Sequence, residues 1–183
     1  MCHKKIIMKK VYNKMNNRKE YIEKLSLNIL ETFKIQIPII DIEDVVKTLG
    51  GTLEINNFEG IDGRLQKNGD SFVITINEEQ TYNRINFTVA HEIGHLFLHM
   101  GYIIDEQKWE DSKNAYYRRG NSKEEHEANE FAAAFLMPKN RYKEVMDQYT
   151  IGNMVNTGKV AEYFNVSASA ASNRGKWLGY LEW

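Results

Sequence analysis

The sequence predicts an α+β fold, in which a small three-stranded sheet packs with several helices. Three observations carry this prediction. Residues 17–36 place apolar side chains at helical spacing, residues 53–77 carry strand and hairpin signals, and two further stretches, 81–100 and 124–136, are strongly helical. The two later helices also hold the residues with the clearest chemistry.

The N-terminal helices are predicted from spacing and capping residues. An apolar stripe on residues 17–36 is formed by Tyr21, Ile22, Leu25, Ile29, Leu30 and Phe33. After Pro38, Asp41 is a suitable N-cap for a short helix, Ile42–Leu49, which the Gly50-Gly51 pair ends.

Three strands are predicted next, at residues 53–58, 61–66 and Ser71–Asn77. Asn68-Gly69 separates the second and third, and Asn-Gly between two extended runs is a strong hairpin signal.

The helix at residues 81–100, ended by Gly101, carries the motif His91-Glu92-x-x-His95. Residues i and i+4 share one face of a helix, so both imidazoles can point at one metal ion. Glu92 stands where a zinc hydrolase has its general base. The opposite face is apolar, which indicates a buried helix with a polar site on one side.

A catalytic zinc ion needs a third protein ligand, and we predict Glu125. On the helix at 124–136, Glu125 shares a face with several small residues that allow close approach to the His-bearing helix. Asn129, one turn further on, is expected to hydrogen-bond a ligand from behind. His99 is about 12 Å along the helix from His91, too far for both to ligate, and is expected to satisfy the helix end.

An alternative interpretation gives Glu125 a purely structural role. Ser122-x-x-Glu125 matches a capping box, a common helix start. Asn121-x-x-Glu124 would serve equally well as the cap, which leaves Glu125 for the metal.

These residues predict metal-assisted hydrolysis. One zinc ion per chain, held by His91, His95 and Glu125, would keep one position open for water, and Glu92 would take the proton from that water. The oxyanion donor is left open among His99, Tyr102, His126 and the 101–120 loop.

Residues 101–120 are predicted to form a loop, which can include a helical turn. A helix is predicted from Pro138 to about Gln148, and two short helices at 155–164 and 167–178. Residues 1–16 form a basic leader that we expect to be flexible, since residues 1–24 hold eight lysines and arginines against two glutamates. One cysteine and no apolar run long enough for a membrane span indicate a cytoplasmic protein with no membrane partner.

With these elements placed, the chain resembles the ImmA/IrrE family of metallo-endopeptidases. The resemblance spans roughly residues 25–180. The matching pieces are Ile37-Pro38-Ile39, Asp41-Ile42, Leu49-Gly50, Ile61-Asp62-Gly63-Arg64, Ile76-Asn77, Arg84, Phe87 through Leu96, His99, Glu125, Ala128 through Ala133 and Leu136-Met137-Pro138. The resemblance implies a zincin-like core, zinc held by the two histidines and Glu125, and Glu92 as catalytic base.

The same resemblance implies a regulatory protease. Its substrate would be a helix-turn-helix repressor or antitoxin, and cleavage would control a phage, mobile-element or stress operon. It also divides the chain into a peptidase domain at 17–150 and helix-turn-helix-like helices at 151–183. Direct DNA binding has little support, because this tail holds three basic residues against two acidic ones. The alternative function is a non-catalytic DNA- or protein-binding regulator with a structural metal site.

Overall fold

In a computed structural model, residues 17–57, 60–112, 115–116 and 122–182 are described. The predicted leader at residues 1–16 lies outside them. The described part is a mixed α+β structure with eight helices and a small mixed sheet, which confirms the predicted fold class. The zincin likeness of the core and the helix-turn-helix likeness of the tail remain predictions.

The helices and strands follow in chain order. The helices are α1 (Arg18–Phe33), α2 (Ile42–Leu49), α3 (Tyr82–Leu98), α4 (Glu106–Asp111), α5 (Lys123–Leu136), α6 (Lys139–Gln148), α7 (Thr157–Phe164) and α8 (Ala168–Trp177). The main sheet contains β1 (Thr52–Asn56), β2 (Gly63–Asn68), β3 (Ser71–Asn77) and β4 (Ala115–Tyr116), and a separate hairpin contains β5 (Thr150–Ile151) and β6 (Met154–Val155).

The main sheet has the order β1-β3-β2-β4. Strands β2 and β3 form the predicted antiparallel hairpin, with Leu65 opposite Ile74 and a turn in which Gly69 has φ +60°. Strand β1 runs parallel to β3, with Leu53 beside Ile74. The three predicted strands are therefore present, and β4 adds a two-residue strand that is too short to leave a periodic signal.

The predicted caps form on the short helix α2. The Asp41 carboxylate accepts hydrogen bonds from the backbone N–H groups of Glu43 and Asp44, at 2.9 and 3.1 Å. Gly50 ends the helix with φ +93°, a left-handed conformation that a glycine adopts at little cost.

Helices α3 and α5 pack closely at the centre of the structure. A Cβ atom at Gly94 would lie only 3.1 Å from the Cα atom of Ala128, so these two small residues set the spacing of the two helices. The back of α3 is fully buried, through Val89, Ile93, Leu96 and Phe97. The polar face of α3 is thereby directed at α5, as the sequence pattern predicts.

The C-terminal helices are joined to the rest by buried hydrogen bonds. Arg174 of α8, 2% exposed, donates to the carbonyl of Met137 at 3.0 Å and to both carboxylate oxygens of Glu23 at 2.5 and 3.0 Å. The Tyr142 hydroxyl donates to the Ala171 carbonyl at 2.7 Å. These bonds tie α8 to α1 and α6, and they place the guanidinium of Arg174 away from the surface.

None of the described helices combines the length and the apolar character that crossing a bilayer requires.

Candidate metal centre

Three predicted donor groups meet between α3 and α5. The Nε2 atoms of His91 and His95 lie 3.0 Å apart, and the Glu125 carboxylate approaches them at 3.2 and 3.4 Å. The donor atoms of the three residues all lie within 4.8 Å of one another. Each of the three residues is at most 5% exposed. The structure therefore gathers these three side chains into one buried cluster that could hold a metal ion.

The start of α5 positions the Glu125 carboxylate. The Ser122 hydroxyl caps the helix by accepting a hydrogen bond from the Glu125 backbone N–H at 3.3 Å. The competing reading of the sequence, a cap at Ser122, is thus compatible with ligation, because the cap uses the backbone of Glu125 and leaves its side chain directed at the histidines. Asn121, the other predicted cap, lies outside the described residues.

His91 is oriented by the residue predicted to lie behind it. Its Nδ1 atom is 2.9 Å from Asn129 Oδ1, one turn after Glu125 on α5. The amide oxygen accepts the Nδ1–H, so the Nε2 lone pair of His91 is directed at the cluster.

His95 is oriented by a chain of groups that the sequence reasoning missed. Its Nδ1 atom is 2.9 Å from Nδ1 of His99, and Nε2 of His99 is 3.2 Å from the Glu127 carboxylate. A carboxylate only accepts, so Nε2 of His99 carries the proton and its Nδ1 accepts from His95. The Nε2 lone pair of His95 therefore also points at the cluster.

Burial and an ion pair determine the charges of the groups hydrogen-bonded behind His95. Burial lowers the pKa of His99, so that its imidazole is neutral, although Glu127 opposes this shift. Burial alone would raise the pKa of Glu127, but hydrogen bonds from Arg18 and His99 outweigh it and lower that pKa. Arg18 at the start of α1 meets the Glu127 carboxylate at 2.5 Å.

The chemistry of the donor set fits a metal ion. Two imidazole lone pairs and one carboxylate converge in a buried space, and such a concentration of acceptors is favourable when a cation joins them. Two histidines and one glutamate also form a known ligand set of catalytic zinc sites.

Glu92 directly follows His91 on α3, and its side chain lies against the sheet. It is 4% exposed, and β2 passes it at Gly63. A Cβ atom at Gly63 would lie 3.3 Å from Glu92 Oε1 and 2.6 Å from Thr88 Cγ2. Only a glycine gives this strand room against the two side chains.

Two of the predicted oxyanion donors are engaged elsewhere. The Tyr102 hydroxyl donates to the Leu49 carbonyl at 3.0 Å, and burial raises its pKa. His99 lies between His95 and Glu127, behind the cluster rather than in front of it. Neither can stabilise an oxyanion in this arrangement.

The sequence offers little indication of Glu127, the partner of His99, or of Arg18, the partner of Glu127. On a helical projection, Glu127 falls outside the face of α5 that carries Glu125 and Asn129, and the projection does not reveal what Glu127 contacts. Arg18 is 109 positions away from Glu127, and no local pattern predicts such a pair.

Comparisons with known proteins concern the family and the fold. The model of the peptidase M78 family, described as the IrrE N-terminal-like domain, matches residues 46–176. A solved structure titled Mycobacterium tuberculosis transcriptional regulator has the same fold, with a TM-score of 0.52 and 15% identity over 91% of this chain and 51% of that chain. This chain therefore spans about half the length of that protein. Among curated proteins, none matches this sequence.

Proposed function

Because this chain belongs to the peptidase M78 family of IrrE N-terminal-like domains, a family of metallopeptidases, we propose that it is a zinc-dependent endopeptidase that cleaves a regulatory protein. The substrate class that we propose is a helix-turn-helix repressor or antitoxin, whose removal would change transcription of a phage, mobile-element or stress operon. This choice of substrate rests on the resemblance to the ImmA/IrrE family.

One observation carries the catalytic proposal: Glu92, a buried carboxylate outside the cluster of three donors, directly follows one of them, His91, on α3. Structural zinc sites are closed by four protein ligands, whereas catalytic sites have three and keep a position for water. A structural site also has no use for a buried carboxylate next to its ligands. The combination of three donors and Glu92 is what a hydrolase requires.

In the proposed mechanism, His91, His95 and Glu125 would hold the zinc ion. When bound, zinc acidifies water and polarises a peptide carbonyl. The Glu92 carboxylate takes a proton from the attacking water and delivers it to the amine nitrogen as the peptide bond breaks. Asn129 and His99 accept the Nδ1–H of His91 and His95, which keeps both imidazoles in the tautomer with an unprotonated Nε2.

The alternative, a DNA-binding regulator, is less well supported by the charges of the tail. Arg174 is buried against Glu23, and Lys159 pairs with Glu162 at 2.7 Å. Phosphate binding depends on accessible basic side chains; Arg174 is buried, whereas Lys159 is exposed but lies beside a neighbouring carboxylate. The arrangement favours a structural role for α7 and α8 over binding to DNA phosphates.

The decisive experiment compares wild type with Glu92→Gln, each purified with zinc and incubated with helix-turn-helix proteins encoded near its gene. We expect wild type to cleave one of them, and the variant to retain about one equivalent of zinc but to lose cleavage by several orders of magnitude. Glu144→Gln, an exposed change on α6, is the matched control.

The proposal is overturned if Glu92→Gln cleaves like wild type, or if wild type binds operator DNA tightly and cleaves none of these proteins. A chelator that leaves wild-type cleavage unchanged would count equally against it.

A further inference from the structure

A cavity of about 680 Å³ lies between helices α3 and α5 and the C-terminal helix α8. Its walls come from the start of α3, the middle of α5 and the length of α8. The cavity is therefore built jointly by the two parts of the chain that the sequence analysis treats as separate domains.

The cavity adjoins the cluster of His91, His95 and Glu125 through one side chain. Asn129, whose amide oxygen accepts from His91, also lines the cavity. Phe87 and Arg84 of its wall precede His91 by about one and two turns on α3. The cavity thus extends from the His91 side of the cluster toward the start of α3.

The charges around the cavity leave one carboxylate uncompensated. Arg84 pairs with Asp62, and Arg174 pairs with Glu23, so these two cationic side chains are neutralised from outside the cavity. Glu130 also lines the cavity, and none of the ion pairs among the described residues includes it. The wall therefore has a net negative charge at Glu130.

The apolar part of the wall is made by Phe87, Ala133 and Trp177. A long side chain with an aliphatic stem and a cationic head matches this surface, since the stem can cover the rings while the head meets the carboxylate.

We propose that this cavity binds a lysine or arginine side chain of the substrate, next to the bond that is cleaved, and that Glu130 selects its charge. This inference rests on the proposed peptidase function, because the zinc ion fixes where the peptide backbone lies. In this proposal, α8 forms one wall of the substrate-binding cavity.

The test uses three hydroxamates, which anchor on zinc, and measures their binding to the zinc-loaded protein by calorimetry. Acetohydroxamate reports the metal alone, whereas lysine and norleucine hydroxamates add the same stem with and without the ammonium group. We expect the lysine compound to bind wild type about five-fold more tightly than the norleucine compound, as for a partly exposed ion pair. Glu130→Gln should abolish this preference and leave acetohydroxamate binding unchanged.

Two further variants complete the design. Glu54→Gln, on an exposed position of β1, is the matched control and should keep the preference. Ala133→Leu narrows the cavity and should weaken both amino-acid hydroxamates while acetohydroxamate binds as before.

Each outcome decides the matter. Equal binding of the lysine and norleucine compounds to wild type, or a preference that survives Glu130→Gln, overturns the inference while the metal site stands. Failure of acetohydroxamate to bind zinc-loaded wild type means that no coordination position is open, which overturns the proposed function and this inference with it.

Discussion

The Nδ1 atoms of His95 and His99 lie 2.9 Å apart across one turn of α3. His99 accepts the Nδ1–H of His95 and donates its own Nε2–H to Glu127, 3.2 Å away. The second histidine therefore sets the tautomer of the first. Groups that hydrogen-bond a metal-ligating histidine from its far side commonly contribute to metal affinity.

Replacing His99 by alanine is expected to weaken zinc binding by about 10–100-fold, because His95 loses the acceptor that fixes its ring and tautomer. The measurement is competition with a chromophoric chelator at pH 7. His126→Ala is the matched control, since His126 is an exposed histidine on α5. Equal zinc affinities for wild type and His99→Ala would show that the contact has no part in metal binding.

The lowered pKa of Glu127 predicts a specific pH dependence of stability. The folded state favours the Glu127 carboxylate, so it contributes stability above the ordinary glutamate pKa of about 4.3, and this contribution is lost as the pH falls through the lower folded value. Glu127→Gln should therefore be less stable than wild type at pH 7, and the difference should shrink below about pH 4.

Urea unfolding of the metal-free proteins at a series of pH values measures this difference. Glu144→Gln, whose carboxylate is exposed, provides the baseline for removing a surface charge. A gap between wild type and Glu127→Gln that is constant from pH 7 to pH 3 would contradict the assignment.

Gly63→Ala tests the approach of β2 to the proposed base. The new methyl group would lie 2.6 Å from Thr88 Cγ2 and 3.3 Å from Glu92 Oε1, so the strand or the two side chains must shift. We expect a stability loss of about 1–3 kcal/mol, typical of overpacking, and a fall in kcat that exceeds any change in zinc content. Thermal unfolding, metal analysis and cleavage assays on one preparation separate these effects.

The control for Gly63→Ala is Gly158→Ala on α7, where a Cβ atom meets only Asn156 Oδ1 at 3.3 Å. If both alanine variants retain full activity and stability, the strand does not constrain Glu92.

The sequence predicts those parts of the site that depend on local periodicity. The spacing of His91 and His95 places both on one helix face, and the small residues around Ala128 predict the close helix that brings Glu125 to them. Asn129 follows from the same helical repeat. The predicted helix ends, such as Asp41 and Gly50, depend equally on local backbone chemistry.

The remaining features depend on contacts between distant segments. The Arg18–Glu127 pair joins α1 to α5, and its two residues carry no shared pattern in the sequence. The cavity arises where α8 packs beside α3 and α5, which the periodicity of one helix does not reveal. Helix α4 and strand β4 span only a few residues, so their signals are too short to separate from a loop.

Arg174→Met is expected to destabilise the protein by about 3 kcal/mol, because it leaves the Glu23 carboxylate and the Met137 carbonyl without their donor. Methionine keeps much of the apolar volume, so the loss reports the polar contacts rather than a cavity. Lys176→Met, on the same helix, is the control for removing a basic residue from α8. Chemical unfolding measures the free energy, and gel-shift titrations with operator DNA accompany it. If Arg174 contacted DNA instead, the variant would have wild-type stability and weakened DNA binding. The buried ion pair predicts a lower free energy of unfolding for the variant.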